Sequence, residues 1–115
     1  MASKSVPILL VILSIVAVVA ATSLDRAGGW KPIGNPNAAQ VVAVANFAVA
    51  EYNKEKKTSL VLVSVEKGES QVVSGINYRL LISAKDGAAE KTYSTVVYSS
   101  LAGSISLRSF DPIQN

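Results

Sequence analysis

The hydrophobic and polar positions divide the chain into three kinds of segment. Residues 5–24 form an uncharged, mostly apolar run that lies between Lys4 and Asp25. Residues 37–55, NAAQVVAVANFAVAEYNKE, place apolar side chains at steps of three and four, which is the repeat of an amphipathic helix. From Ser59 onward apolar and polar residues mostly alternate, which is the repeat of a β-strand. The pattern therefore predicts one helix followed by several strands.

The apolar run near the start of the chain is typical of a secretory signal peptide. A short basic start and an apolar centre are followed by small residues that suit a cleavage enzyme, so residues 1–23 are predicted to be removed by cleavage near 21–23. A permanent membrane anchor is the alternative, because about 18 or more uncharged residues can span a bilayer. Pro7 and Ser14 shorten the purely apolar part and favour the signal peptide. We expect a secreted protein with no membrane association after cleavage.

The predicted helix has signals at both ends. Asn37 follows Pro36 and can act as an N-cap, and Gln40, three residues later, can complete a capping box. Lysines near the end of the helix complement its dipole. The expected apolar stripe consists of Val41, Val44, Ala45, Ala48 and Tyr52, widened by Phe47 and Val49.

The remainder of the chain reads as strands joined by turns. Four strand-like runs follow the helix: SLVLVSVE, INYRLLISAK, KTYSTVVYS and ISLRSF. The Asp-Gly pair at 86–87 is a strong hairpin signal, SLAGS at 100–104 predicts another turn, and Gly68 is predicted to mark a bulge or bend. Residues 30–33 are compatible with a short edge strand. These elements predict an α+β fold in which an antiparallel sheet has one face covered by the helix.

The composition excludes most catalytic chemistry. The 115 residues include no Cys and no His, so thiol nucleophiles, imidazole bases and ordinary zinc sites are excluded. Carboxylates such as Glu51 and Glu66 lie near lysines or turns, which favours surface charge over a glycosidase pair. The formal net charge is only +3, and removal of Lys4 lowers it by one, so no nucleic-acid partner is predicted. We expect no enzymatic activity, no metal site and no cofactor.

The segment QVVSG, from Gln71 to Gly75, raises a separate question. It places Val72 and Val73 at a predicted hairpin tip, where polar residues are usual. Two bare valines at such a tip either fold back into the core or form a binding edge. Gly75 is expected to supply a positive φ or room for a close backbone approach.

QVVSG resembles the Q-x-V-x-G signature of the cystatins, which inhibit papain-like cysteine proteases. Two further motifs occur in the family's order: the glycines at 28–29 precede the helix, and VANFAVAEYN at 44–53 is similar to the helix motif of plant cystatins. GGWKPI and NYRLLISA also resemble plant-cystatin sequence. The resemblance implies a single cystatin domain at residues 28–112, with an antiparallel sheet of four to five strands wrapped around one helix.

The resemblance also implies a function, which is reversible competitive inhibition of papain-like cysteine proteases. Three segments would form a wedge that enters the active-site cleft and blocks it sterically: the glycines of a flexible N-terminal trunk at 24–36, the QVVSG loop and a second hairpin loop. The implied protease-binding residues are Gly28, Gly29, Gln71, Val72, Val73, Ser74, Gly75, Leu101 and Ala102.

The second hairpin loop departs from the family pattern. Cystatins usually carry a Pro-Trp pair there, whereas this chain has Leu101 and Ala102 in a segment about one residue shorter. Because a Trp commonly anchors an interface, inhibition weaker than that of a Pro-Trp-bearing relative is predicted. The alternative is a non-inhibitory binding or storage protein on the same scaffold. A monomer is expected, and hairpin exchange between two copies is compatible with the strained turn. Plant defence and control of endogenous proteolysis are both open as biological roles.

Overall fold

Five strands and one helix account for most of residues 29–113, which are the residues that the computed structural model describes. In chain order the elements are β1 (Trp30–Pro32), α1 (Ala39–Lys56), β2 (Val61–Val73), β3 (Gly75–Asp86), β4 (Ala89–Ser99) and β5 (Ile105–Pro112). The strands form one sheet in the order β1-β2-β3-β4-β5, and every neighbouring pair is antiparallel. The predicted α+β fold is therefore confirmed.

Helix α1 lies across one face of the sheet, and its buried residues follow the predicted three- and four-residue spacing. The buried helix positions are Val41, Val44, Ala45, Ala48 and Val49. They pack against inward side chains of the sheet, chiefly Val65, Tyr78, Leu80, Ile82, Ala84, Tyr93, Val97 and Phe110. Tyr52 is only half-buried, but its ring stacks on that of Phe110 with 4.2 Å between centroids. This burial of apolar surface is the main force that holds helix and sheet together.

The capping box predicted at the start of the helix is wrong. The N-cap of α1 is Ala38, and no side chain caps the helix. The amide of Asn37 instead donates to the carbonyl oxygen of Val65 at 2.8 Å and accepts from the Val65 N–H at 3.0 Å. The amide of Gln40 donates to the hydroxyl of Tyr78 at 2.9 Å. Both side chains therefore link the helix to the sheet.

The bulge or bend predicted at Gly68 does not lie at that residue. Gly68 pairs in regular register with Leu80. A Cβ added to Gly68 would lie 2.7 Å from Leu80 Cδ2 and 3.0 Å from Ile33 Cδ1. The glycine is thus explained by the close packing of Leu80 on β3 and of Ile33, the residue after β1, against β2.

Two bulges do occur in β2, where the extra residues are Val63 and Glu66. The first lies between Leu62 and Val65, which pair with Ala84 and Ile82 respectively. Since side chains alternate along a strand, Leu62 and Val65 would face opposite ways without an extra residue between them. The bulge brings both toward the helix, where Val65 is 1% exposed.

The turn predicted at the Asp-Gly pair is confirmed. Strand β3 ends at Asp86, β4 begins at Ala89, and Gly87 between them has a φ of 65°. The predicted signal peptide, residues 1–23, lies outside the described residues. Within residues 29–113, no helix has the length and apolar character needed to cross a bilayer.

Candidate functional site

One end of the sheet carries the described parts of the three segments predicted to form the wedge. Five paired residues, one from each strand, form a row across this end: Trp30, Gln71, Asn77, Tyr98 and Ser106. Beyond this row lie the start of β1, the tip of the β2–β3 hairpin and the loop between β4 and β5. We call this part of the sheet the site end. The Asp-Gly turn lies at the opposite end.

The tip of the β2–β3 hairpin, here called the first loop (residues 71–75), turns at a single residue, Ser74. Val73 and Gly75 on either side of Ser74 still pair with each other. Gly75 has a φ of 117°, which L side chains rarely adopt. A Cβ on Gly75 would also lie 2.5 Å from the carbonyl oxygen of Ser99. Both of the expected reasons for a glycine, positive φ and close approach, therefore hold at this position.

The two valines of the first loop face solvent. The exposed fraction is 61% for Val72 and 44% for Val73, so they do not fold back into the core. Behind them, the side-chain carbonyl of Gln71 accepts a hydrogen bond from the amide of Asn77 at 2.9 Å. A short turn on paired strands thus presents an exposed apolar pair, a surface that gains from being covered.

The loop between β4 and β5, here called the second loop (residues 100–104), is closed by its two serines. The Ser100 N–H donates to the Ser104 carbonyl oxygen at 2.8 Å, and the Ser104 N–H donates to the Ser100 hydroxyl at 3.0 Å. The two hydroxyl oxygens are 2.7 Å apart. This closure presents Leu101 to solvent with 85% of its surface exposed, and Ala102 is exposed beside it.

The segment predicted as a flexible trunk at 24–36 is held by the sheet in part. Within it, β1 pairs with β2, and the N–H of Ile33 donates to the Gly68 carbonyl oxygen at 2.8 Å. Gly29, half-buried, directly precedes β1, and Gly28 lies outside the described residues. The position at which the trunk meets the site end is therefore set by β1.

An arginine on β3 adds to this anchorage. The guanidinium carbon of Arg79 lies 4.1 Å from the ring centroid of Trp30, a cation–π distance. The same guanidinium donates to a carboxylate oxygen of Glu69 at 2.7 and 2.9 Å. Trp30 is thereby held against the outer face of the sheet, next to the first loop.

Three residues at or next to the site end were not singled out from the sequence. Ile105 follows the second loop, pairs with Ser99 and is 38% exposed. The hydroxyl of Tyr98 donates to the carbonyl oxygen of Ser74, and the guanidinium carbon of Arg108 lies 5.3 Å from the centre of the Tyr98 ring. Ile105 directly follows the predicted turn SLAGS, and this position indicated that it would lie near the second loop. The positions of Tyr98 and Arg108 relative to the first loop depend on strand register, which the sequence does not show.

Comparison with known proteins identifies the class. The crystal structure of a salivary cystatin from the soft tick Ornithodoros moubata matches the fold with a TM-score of 0.68, covering 76% of this chain and 98% of that one at 22% identity. The family model described as SQAPI, aspartic acid proteinase inhibitor, matches residues 33–113. The fold is that of the cystatins, and the matching family is one of proteinase inhibitors.

Two plant relatives identify the family within this class of proteinase inhibitors. Cysteine proteinase inhibitor 5 of Arabidopsis thaliana is 42% identical over 118 aligned residues, which cover 100% of this chain and 97% of that protein. Cysteine proteinase inhibitor 1 of Actinidia chinensis var. chinensis is 54% identical over 72 residues, which are 63% of this chain and 62% of that relative. The chain belongs to the plant cystatins, a family of proteinase inhibitors and not of enzymes.

Proposed function

We propose that this protein is a reversible competitive inhibitor of papain-like cysteine proteases and that the site end of its sheet is the inhibitory wedge. The observation that carries the proposal is the row of five paired residues, because it brings the described part of the trunk, the first loop and the second loop to one end of a single sheet. The names of the two plant relatives, both cysteine proteinase inhibitors, support the choice of target class.

The mechanism follows from the shape and stiffness of this end. Val72, Val73 and Leu101 are exposed in the free protein, and their transfer from water into a cleft is favourable by about 25 cal/mol per Å² of apolar surface. The paired first loop and the hydrogen-bonded second loop lose little conformational freedom on binding. The wedge fills the cleft with paired backbone and apolar side chains, so substrate is excluded sterically.

The second loop is the weaker part of this wedge. Leu101 offers a single flexible aliphatic side chain, and Ala102 adds only a methyl group. A Trp at this place would bury a far larger apolar area. We therefore propose that binding depends mainly on the first loop, with the trunk adding affinity by slowing dissociation.

Aspartic proteinases are the second candidate target, because the matching family model is described as an aspartic acid proteinase inhibitor. That match begins at Ile33 and so does not include β1 or the trunk glycines. It covers both hairpin loops. An inhibitor of this kind would use the same scaffold against a different cleft.

The test is titration of papain and of pepsin, separately, with the protein beginning at Leu24. We expect competitive inhibition of papain, with Ki independent of the order of addition, and no inhibition of pepsin. Inhibition of pepsin alone would replace the proposal with the second candidate. Absence of both inhibitions in a folded monomer, as checked by circular dichroism and sedimentation, would favour a non-inhibitory binding or storage protein.

We further propose that residues 1–23 direct export and are then removed. The uncharged run at 5–24 supports this proposal. Expression of the full chain in plant cells, followed by N-terminal sequencing of the protein in the medium, tests it. A secreted product that begins near residues 22–24 is expected, and retention of the intact chain in the membrane fraction would contradict it.

A further inference from the structure

We propose that Tyr98 is a positioning residue that holds the tip of the first loop in its protease-binding shape. This inference rests on the proposed function, since it assigns Tyr98 a role in the same wedge. Tyr98 itself belongs to β4, the strand that leads into the second loop.

The tip of the first loop has contacts with Tyr98 from behind. The phenolic hydroxyl of Tyr98 donates to the carbonyl oxygen of Ser74, the single residue at which the hairpin turns. The ring lies against Gly75, because a Cβ added there would be 2.8 Å from the Tyr98 oxygen and 3.0 Å from the adjoining ring carbon. One side chain therefore fixes the turn residue by a hydrogen bond and the next residue by packing.

Tyr98 is held in turn from the β5 side. The register of β4 and β5 shifts so that Val96 pairs with Ser109 and Val97 with Leu107, which leaves Arg108 as an extra residue. Such bulges redirect a side chain, and the Arg108 guanidinium carbon here lies 5.3 Å from the centre of the Tyr98 ring. At that distance the cation is attracted to the ring face. The contacts run from β5 through Tyr98 to the tip of the first loop.

This arrangement matters because the tip has few other supports. Val73 and Ser74 are exposed, and the outermost pairing of the hairpin is the one between Val73 and Gly75. Loss of the Tyr98 hydrogen bond would let the tip sample shapes that do not fit the cleft. When only a fraction of the free inhibitor has the binding-competent shape, its apparent affinity falls by that fraction.

The variant that tests this role is Tyr98→Phe, which keeps the ring and removes only the hydroxyl. Tyr52→Phe is the matched control, because Tyr52 packs against Phe110 in the core and its hydroxyl makes no hydrogen bond within residues 29–113. We expect Tyr98→Phe to raise Ki for papain by about 3- to 10-fold, the usual effect of one hydrogen bond. The control should change Ki by less than about 2-fold.

A second measurement on the free protein separates positioning from general stability. Nitrogen-15 relaxation of the backbone amides at residues 73–75 should show greater mobility in Tyr98→Phe, while amides in the middle of β3 stay as in the wild type. A raised Ki together with a mobile tip supports the proposal. An unchanged tip, or a mobile tip with unchanged Ki, overturns it.

The two measurements also distinguish failure of this inference from failure of the proposed function. If wild-type protein inhibits papain but Tyr98→Phe matches it in both measurements, Tyr98 has no positioning role and the proposed function stands. If wild-type protein does not inhibit papain, the proposed function fails and the protease-binding role of Tyr98 fails with it.

Discussion

The side-chain amide of Asn37 pairs with the backbone of Val65 in both directions, donating to its carbonyl oxygen and accepting from its N–H. Strand β1 does not extend to this part of β2, so the amide takes the place of a neighbouring strand. At the other end of the helix, Asn53 makes the same two bonds with Leu60, at 3.0 and 2.9 Å. Asn37, just before α1, thus fastens the helix to β2, and Asn53, in the last turn of α1, fastens it to Leu60, the residue before β2.

We predict that Asn37→Ala lowers the free energy of unfolding by about 1–3 kcal/mol, because it leaves two backbone groups of Val65 without their partner. Urea denaturation with an unchanged m-value measures the loss. Asn35→Ala is the control, since the Asn35 side chain makes no hydrogen bond among the described residues. Equal stabilities of the two variants would contradict the role given to Asn37.

Gly75→Ala is predicted to raise Ki for papain by about 10-fold or more. The new methyl group would meet the Ser99 carbonyl oxygen at 2.5 Å, and a φ of 117° is strained for alanine, so the first loop must change shape. Gly87→Ala provides the comparison, because Gly87 also has a positive φ but has no atom within 4 Å of the added Cβ. The Gly87→Ala variant should lose about 1 kcal/mol of stability, and its Ki for papain should equal that of the wild type. Equal Ki values for Gly75→Ala and wild type would refute the close approach at the tip.

Replacement of Leu101-Ala102 by Pro-Trp is predicted to lower Ki for papain by about 5-fold or more. The added indole supplies a large apolar surface at the exposed apex of the second loop. The single substitution Leu101→Pro, which leaves Pro-Ala in the loop, controls for the change in loop backbone. Unchanged inhibition constants across several papain-like proteases would show that the second loop does not contribute to binding.

Stability above pH 10 should depend on Tyr93. Burial raises the pKa of Tyr93 above its ordinary value of 10.0; Asp86 and Tyr52 raise it further, and Lys91 opposes them. Above pH 10 the unfolded chain loses this proton while the folded chain retains it, so the unfolded state binds fewer protons. The free energy of unfolding therefore falls as pH rises above 10. The contribution of Tyr93 to stability is fully present below pH 10.

Urea denaturation of wild type and Tyr93→Phe between pH 9 and pH 11 measures this effect. The wild type should lose stability more steeply than the variant over that range. Since the two proteins differ only in the hydroxyl of Tyr93, the difference between the two slopes belongs to that group. Parallel pH profiles would contradict the raised pKa.

The sequence predicted the helix, the main strands and both hairpin loops because these depend on local repeats and turn residues. The prediction of Asn37 as the N-cap was wrong, because a residue before a helix has the same local signal whether it caps the helix or bonds to a distant strand. The bulges at Val63 and Glu66 carry no glycine to mark them. The contact between Tyr98 and Ser74 depends on the pairing of β3 with β4, and no spacing along the chain specifies that register.

The most direct test of the wedge compares aspartate substitutions at the two ends of β2. Val72 and Val61 are 61% and 62% exposed, and Val73 and Val63 are 44% and 45% exposed, so each valine at the site end has a matched control on the same strand. We predict that Val72→Asp and Val73→Asp each raise Ki for papain by about 30-fold or more, as loss of an interface hot spot does, while Val61→Asp and Val63→Asp change it by less than about 2-fold. Equal effects at the two ends, in folded variants of similar stability, would contradict a wedge at the site end.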